Sequence, residues 1–221
     1  ELRLLAGMTP AKGVGGDFYD FFFLDDMHLA MVMADVSGKG MAAALFMVEA
    51  RTVLRSRITT DRSLAQIAEA VNNILCENNE NGMFVTAWIG ILTLPTGRLR
   101  CVNAGHCYPL IRHGDGTAEY LEHVDGMVLA GMEDIPYTQQ EYHLRQGDAV
   151  LLYTDGVTED ANESGELYGE QRLKACVENS VKDLEGMLDD IKRELKEYQG
   201  SAPQADDITM LAVQWDGYRY D

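Results

Sequence analysis

The order of strand-like and helical segments is the feature that most constrains this fold. Residues 83–122 contain short apolar runs separated by turn residues, which favours an antiparallel meander of strands. Helical spacing of apolar residues precedes them at 41–57 and 61–77. Two more helical segments follow a strand at 149–154, and the second has one apolar stripe of Leu184, Leu188, Ile191, Leu195 and Tyr198. Single helices do not alternate with strands as in a parallel βαβ fold. The sequence therefore predicts an α+β fold, with antiparallel sheets covered by helices.

Composition limits the setting and the partners of the chain. Its 221 residues suit one domain, and 36 acidic against 18 basic residues give a formal net charge of −18. A chain this acidic lacks the basic stripe that binds phosphates, so we expect no nucleic-acid partner. No run approaches the roughly 18 apolar residues of a membrane span, and the start lacks a signal-peptide pattern, so we expect no direct membrane insertion. Four cysteines without a C-x-x-C pair predict a reducing, cytoplasmic location.

Aspartates stand at the ends of three apolar, strand-like runs. Asp35 follows L-A-M-V-M-A, Asp155 follows A-V-L-L-Y-T, and Asp206 and Asp207 precede I-T-M-L-A-V. An ionised carboxylate beside a buried strand is costly unless it is paired, hydrogen-bonded or bound to a metal. Each aspartate alone could simply cap a turn, but together they indicate a site for a hard cation such as Mg²⁺ or Mn²⁺.

A fourth acidic motif, G-G-D-F-Y-D, covers residues 15–20 and contains Asp17. Its two glycines would allow the backbone to fold closely around a site. Taken alone, this motif is weak.

Six motifs follow one another along the chain. They are V-G-G-D-F-Y-D (14–20), A-D-V-S-G-K-G-M-A-A-A-L (34–45), F-V-T-A (84–87), V-N-A-G-H (102–106), Y-T-D-G-V-T-E (153–159) and D-D-I-T (206–209). Taken in order, they resemble the motifs of the bacterial PPM, or phosphatase 2C-like, serine/threonine phosphatases. The most similar branch contains the sporulation stage II protein E and the stress sigma-factor regulators. The resemblance covers nearly the whole chain and implies an α-β-β-α sandwich of two antiparallel sheets flanked by helix pairs.

The resemblance also implies the metal ligands. Asp35 matches the residue that bridges two Mn²⁺ or Mg²⁺ ions, and the backbone carbonyl of Val36 matches a ligand of the first ion. Asp155 and Asp206 match the ligands of the second ion. Asp17 matches an acidic position that contacts metal through water.

One position of this set stays open, because Asp207 is the alternative to Asp206 if the last motif is shifted by one residue. The implied reaction is attack on a phosphoserine or phosphothreonine by a water that two metal ions activate. The implied substrate is a protein, the phosphorylated antagonist of an anti-sigma factor.

Three positions depart from eukaryotic relatives or are uncertain. Ser37 occupies the place where a histidine, a candidate general acid, usually follows the bridging-aspartate dipeptide. His106 is a weak substitute, since a histidine in a tight loop is more often a structural hydrogen-bonding residue. Lys12 is the only cation close to Asp17 in sequence and is a weak candidate for a phosphate contact. A degenerate phosphatase that only binds a partner is the alternative function, although the intact acidic set argues against it.

The segment 41–57 has apolar residues on two faces. Met41, Leu45 and Val48 follow one line, whereas Phe46 belongs to another. We expect an outward apolar face, with Met41 and Phe46 on it, that binds a second copy or an upstream sensory region. Residues 1–221 would then be the output domain of a longer chain, and this helix its switch.

Overall fold

The computed structural model describes residues 1–11, 15–77, 79–122, 126–180 and 183–218. They form two compact units. The central unit comprises Val14–His106 and His123–Leu144, and the terminal unit comprises Glu1–Gly13, Cys107–Glu122 and Arg145–Asp221. In chain order, the elements are β1 (Leu2–Thr9), β2 (Phe18–Asp25), β3 (His28–Val36), α1 (Met41–Arg57), α2 (Leu64–Glu77), β4 (Val85–Thr93), β5 (Arg98–Ala104), β6 (Leu110–Arg112), β7 (Ala118–Tyr120), β8 (Gln140–His143), β9 (Ala149–Tyr153), α3 (Asp155–Thr158), α4 (Gly169–Asn179), α5 (Leu184–Gln199) and β10 (Ile208–Trp215).

The sheet of the central unit has the strand order β2-β3-β4-β5-β8, and all its pairs are antiparallel. Strand β3, which lies between β2 and β4, is apolar on both faces and buried from Leu29 to Ala34. Ala30, Val32 and Ala34 share one hydrophobic cluster with residues of α1 and α2. The helix pair therefore covers this face of the sheet. Asp35 and Val36 are the last two residues of β3.

Helix α1 has the predicted bounds, but one residue predicted on its outward face is buried. Met41, Leu45 and Val48 are exposed, at 69%, 65% and 56% of their full surface. Phe46, in contrast, is buried with Ala50 in the cluster against the sheet. The expectation that Phe46 faces outward is wrong, because both faces of α1 are apolar and the sequence cannot tell which one covers the strands.

Helix α2 begins at Leu64, three residues later than the spacing predicted. The reason is a capping box at Ser63. The backbone N–H of Gln66 donates to the Ser63 hydroxyl (3.2 Å), and the backbone N–H of Ser63 donates to the Gln66 side chain (3.3 Å).

The sheet of the terminal unit has the order β1-β10-β9-β6-β7, again antiparallel throughout. Strand β1, which the sequence showed only as an apolar run, pairs with β10 along its whole length, from Leu2 opposite Trp215 to Thr9 opposite Ile208. Helices α4 and α5 share one cluster with β9 and β10. The predicted apolar stripe of α5 is buried at Leu184, Leu188, Ile191 and Leu195.

Two antiparallel sheets, each packed with its own helix pair, confirm the predicted α+β class. Strand β8 escaped the sequence analysis because its four residues, Gln140–His143, are all polar or aromatic and are no more than half-buried. All four cysteines are free thiols. Within the described ranges, we find no helix with both the length and the apolar character that crossing a membrane requires.

Candidate metal centre

The acidic motifs that contain Asp17 and Asp35 meet in the central unit. The backbone N–H of Val36 donates to the carbonyl of Gly16 (3.3 Å). A Cβ atom on Gly16 would lie 2.5 Å from the Val36 carbonyl oxygen and 3.0 Å from Oδ1 of Asp35. Only glycine allows this approach, which places the loop of the buried Asp17 against Asp35 and Val36. We call Asp17, Asp35 and Val36 the central acidic corner.

Two further motifs brace the end of β3. Thr86 on β4 is paired with Asp35, and its hydroxyl lies 3.5 Å from the Asp35 carbonyl oxygen. The same hydroxyl is hydrogen-bonded to Nδ1 of His106 (2.9 Å). Asn103 fixes His106 from the other side, because its side chain accepts from the His106 N–H (2.7 Å) and donates to the His106 carbonyl (2.8 Å). His106 is buried and tied into this brace, as expected of a structural histidine.

Ser37, in the place of the missing histidine, also holds backbone together. Its hydroxyl accepts from the N–H of Phe84 (2.8 Å), and its own N–H donates to the Phe84 carbonyl (2.9 Å). Lys39 is exposed in the loop just before α1. Lys12 lies outside the described residues.

The last two acidic motifs meet in the terminal unit by the same device. A Cβ atom on Gly156 would lie 1.9 Å from the carbonyl oxygen of Asp207, so only glycine fits after Asp155. Thr154 secures the approach. Its N–H donates to the carbonyl of Thr209 (3.1 Å), and its hydroxyl accepts from the N–H of Thr209 (3.2 Å). We call Asp155, Asp206 and their neighbour Asp207 the terminal acidic corner.

The two aspartates of the D-D-I-T motif have different surroundings. Asp207 is buried, and its carboxylate accepts from the backbone N–H of Ala11 (2.8 Å). Asp206 is exposed, and its carboxylate accepts from the N–H of Asp207 (2.9 Å). Asp207 thus has a structural role in joining two segments, whereas the Asp206 carboxylate faces the surface.

Glu159 is a further acidic residue of this corner that the sequence analysis did not single out. Partial burial raises the pKa of its carboxyl, and the negative charges of Asp155 and Asp206 raise it further. The carboxylates of Asp155 and Asp206 are therefore close enough to disfavour a negative charge on Glu159. The signal was present in the sequence, since Glu159 follows Asp155 by four residues, the spacing that places two side chains on one face of a helix.

A cysteine nucleophile does not fit this region. Burial raises the pKa of the Cys107 thiol to about 12, with a smaller contribution from the charge of Asp155. The thiol is thus protonated near neutral pH and poorly nucleophilic.

The donors of both corners suit a hard cation. Carboxylates and a backbone carbonyl are oxygen ligands of the kind that Mg²⁺ and Mn²⁺ prefer. The close approaches at Gly16 and Gly156 bring such oxygens together within each unit. Across the ranges that the structure describes, no three His, Cys, Asp or Glu side chains form a group placed to hold a metal. The ligand set inferred from the sequence is therefore carried forward as a proposal.

Two antiparallel sheets with helix pairs, and acidic corners at the strand ends, define the class of PP2C-like phosphatase domains. The solved structure of the PP2C phosphatase domain of SpoIIE from Bacillus subtilis is similar with a TM-score of 0.84, over 97% of this chain and 63% of that one, at 17% identity. The sequence model of the family Stage II sporulation protein E (SpoIIE) matches residues 25–216. The chain belongs to this family, which comprises PP2C-like, metal-dependent serine/threonine protein phosphatases.

Two curated relatives are similar over almost the whole chain. Protein IcfG of Synechocystis sp. is 32% identical over 240 residues, which cover 96% of this chain and 38% of the relative. The phosphoserine phosphatase RsbU of Bacillus subtilis is 28% identical over 206 residues, covering 93% of this chain and 61% of the relative. The chain thus spans 38% to 61% of the length of these relatives.

Proposed function

We propose that this chain is an active phosphatase domain that hydrolyses phosphoserine or phosphothreonine on a protein, with two Mn²⁺ or Mg²⁺ ions held by both acidic corners. The observation that carries the proposal is the repeated close approach at Gly16 and Gly156. Each one brings acidic motifs that are far apart in sequence against each other. A degenerate binding module has no need for two such arrangements.

Each residue of the proposed set has a separate task. Asp35 would contact both ions, and the Val36 carbonyl would be a further ligand of the first ion. Asp155 and Asp206 would hold the second, while Asp17 would act through a water. When bound, two such ions lower the pKa of a water and neutralise charge on a phosphoryl group. The brace formed by Thr86, His106 and Asn103 would keep Asp35 in position for this chemistry.

The surroundings of the two aspartates support Asp206 as the ligand from the last motif. Asp206 fits a metal ligand better than Asp207, because the Asp207 carboxylate is buried and accepts from Ala11. The negative charge near Glu159 supports the same choice. Partial burial and the charges of Asp155 and Asp206 raise the pKa of its carboxyl, and a divalent cation would relieve the charge repulsion.

Phosphate release from p-nitrophenyl phosphate and from phosphoserine proteins, with and without Mn²⁺, tests this function. We expect turnover that needs Mn²⁺ or Mg²⁺, that excess EDTA abolishes and that added metal restores. Metal binding without any turnover would favour the degenerate module. Full activity in excess EDTA would refute the metal-dependent reaction.

The substrate that we propose is a phosphorylated anti-sigma-factor antagonist. The resemblance of the six motifs to the stress sigma-factor regulators supports this choice, and so does the similarity to RsbU, which is named as a phosphoserine phosphatase. Such a folded antagonist should be dephosphorylated far faster than a short phosphopeptide of the same sequence, because the protein can contact the surface beyond the metals. Equal kcat/KM for protein and peptide would rule out such contacts.

We also propose that residues 1–221 act as the output domain of a longer, cytoplasmic protein. The exposed line of Met41, Leu45 and Val48 on α1 would contact an upstream sensory region or a second copy. Met41→Glu should then change sedimentation or metal dependence without unfolding the domain. Suppose instead that the variant keeps the assembly state and metal dependence of the parent, both alone and with any upstream region present. In that case α1 would only pack on the sheet and would not be a contact surface.

A further inference from the structure

A groove with a volume of about 510 Å³ lies entirely within the central unit. We call it the 84–133 groove and define it by Asn79, Phe84, Met127, Ala130, Met132 and Glu133, which line it. Its walls are the segment after α2 and the loop at 126–133.

Large apolar side chains remain exposed in this groove. Phe84, Met127 and Met132 keep 42%, 45% and 60% of their full surface. Neighbouring exposed apolar side chains mark a binding surface more often than single ones do. Methionine side chains are flexible and polarizable, so they adapt to apolar partners of different shape.

Buried hydrogen bonds make the walls of the groove rigid. The fully buried Asn72 on α2 accepts from the N–H of Ala130 (2.9 Å) and donates to the carbonyl of Met132 (2.7 Å). Asn79 joins the two walls by donating to the carbonyls of Met83 and Ala130. Ala130 is held at a φ of 63°, a left-handed conformation that a non-glycine residue adopts only under such constraint. The surface is therefore preorganised.

The groove begins beside the end of β3. Phe84 is bound through two hydrogen bonds to Ser37, which is two residues from Asp35. The opposite wall is attached at the same place, because Leu129 and Val85 exchange backbone hydrogen bonds (2.8 and 2.9 Å) and Val85 pairs with Val36. Two residues of extended chain place Ser37 about 7 Å from Asp35, and neighbouring strands lie about 5 Å apart, so Phe84 is within about 10 Å of Asp35.

We propose that the 84–133 groove binds apolar side chains that flank the phosphorylated serine of the protein substrate. This inference rests on the proposed function. A phosphoryl group at Asp35 fixes the polypeptide next to it, and residues two or three positions away reach about 7–11 Å, far enough to enter the groove. Among the described residues that line the groove, Glu133 alone is charged, so apolar rather than charged flanking residues match its chemistry.

Two phosphoserine nonapeptides provide the test, one with leucine and one with serine at the two positions on each side next to the phosphoserine. Wild-type kcat/KM should favour the leucine peptide by about tenfold or more, since burial of even one leucine side chain is worth at least that factor. Met127→Gln and Met132→Gln should each remove most of this preference. Their turnover of p-nitrophenyl phosphate, which is too small to reach the groove, should stay within about twofold.

Met27→Gln is the matched control. Met27 is 52% exposed and lies in the turn before β3, at the end of the strand opposite to Asp35. It should leave the leucine preference intact.

Four results would overturn the inference. They are equal wild-type rates for the two peptides, a preference that survives in both groove variants, an equal loss on p-nitrophenyl phosphate, or slower sedimentation of both variants, which would assign the groove to a second copy. Failure of the proposed function is distinguishable. In that case wild-type protein with Mn²⁺ would turn over neither the peptides nor p-nitrophenyl phosphate.

Discussion

The two acidic corners are built by one device in different surroundings. In each corner, a glycine next to an aspartate lies against a backbone carbonyl oxygen. A Cβ atom added to the glycine would be 2.5 Å from that oxygen at Gly16 and 1.9 Å from it at Gly156. The central corner lies at the end of the buried strand β3 and is braced by Thr86 and His106. The terminal corner is held by Thr154 and carries more negative charge.

This difference indicates a division of labour. The central corner supplies a well-supported carboxylate and a backbone carbonyl, which favour fixed geometry. The terminal corner contributes the charges of Asp155 and Asp206, which lie near the partly buried Glu159 and would favour cation binding. Changes at the first corner should therefore mainly disturb position, and changes at the second should mainly disturb affinity.

Loss of a proposed ligand should have the largest effect. Asp35→Asn, Asp155→Asn and Asp206→Asn should each lower kcat/KM by more than the roughly 10–100-fold typical of residues that only support a ligand. Thermal unfolding should show that the fold survives.

Asp207→Asn is the matched control, because an asparagine oxygen can still accept from Ala11. It should remain near normal in activity. If Asp207→Asn were inactive and Asp206→Asn nearly normal, Asp207 would be the metal ligand and our assignment of the last motif would be off by one residue.

Substitution of the two closely packed glycines should have the next largest effect. Gly156→Ala and Gly16→Ala force a methyl group against backbone oxygen, and such overpacking typically costs about 1–3 kcal/mol in the free energy of unfolding. We expect Gly156→Ala to be the worse variant because its clash is closer. Denaturant unfolding and Mn²⁺-dependent turnover measure both effects.

Gly7→Ala provides the control for these substitutions. A Cβ atom there would meet nothing closer than the flexible end of Lys192, at 3.5 Å. If all three variants behaved alike, the close approaches would not matter for the corners.

The supporting threonines should give the smallest effects. Thr86→Val removes the hydroxyl that joins His106 to β4, and Thr154→Val removes the acceptor of the Thr209 N–H. A lost hydrogen bond of this kind costs about 1–3 kcal/mol when a buried partner is left unsatisfied. Thr86→Val should weaken kcat more than Mn²⁺ affinity, and Thr154→Val should do the reverse. The same split in both variants would contradict the division of labour.

Much of the fold could be predicted from the sequence because its periodic signals are strong. Helix α1 has the predicted bounds, and the α5 stripe is buried as its spacing indicated. The inward face of α1 could not be predicted, since Phe46 and Met41 belong to two equally apolar lines. The start of α2 depended on the local hydrogen bonds of Ser63.

For the candidate site, the sequence suggests a set of residues but not their arrangement. The order of motifs identified Asp35, Asp155 and Asp206, whereas the sequence cannot show which carbonyl approaches Gly16 or Gly156. It also gave no reason to connect Thr86 with His106, because that hydrogen bond joins motifs about twenty residues apart. These contacts arise from strand register, which local sequence does not determine.

The central claim is that the two corners ligate the same metal ions. Calorimetric titration of Mn²⁺ into wild-type protein, Asp35→Asn, Asp206→Asn and the double variant tests it most directly. Residues that act on shared ions are strongly non-additive. We predict that the double variant binds Mn²⁺ no more weakly than the worse single variant. Losses in binding free energy that simply add would show two independent sites and contradict the account.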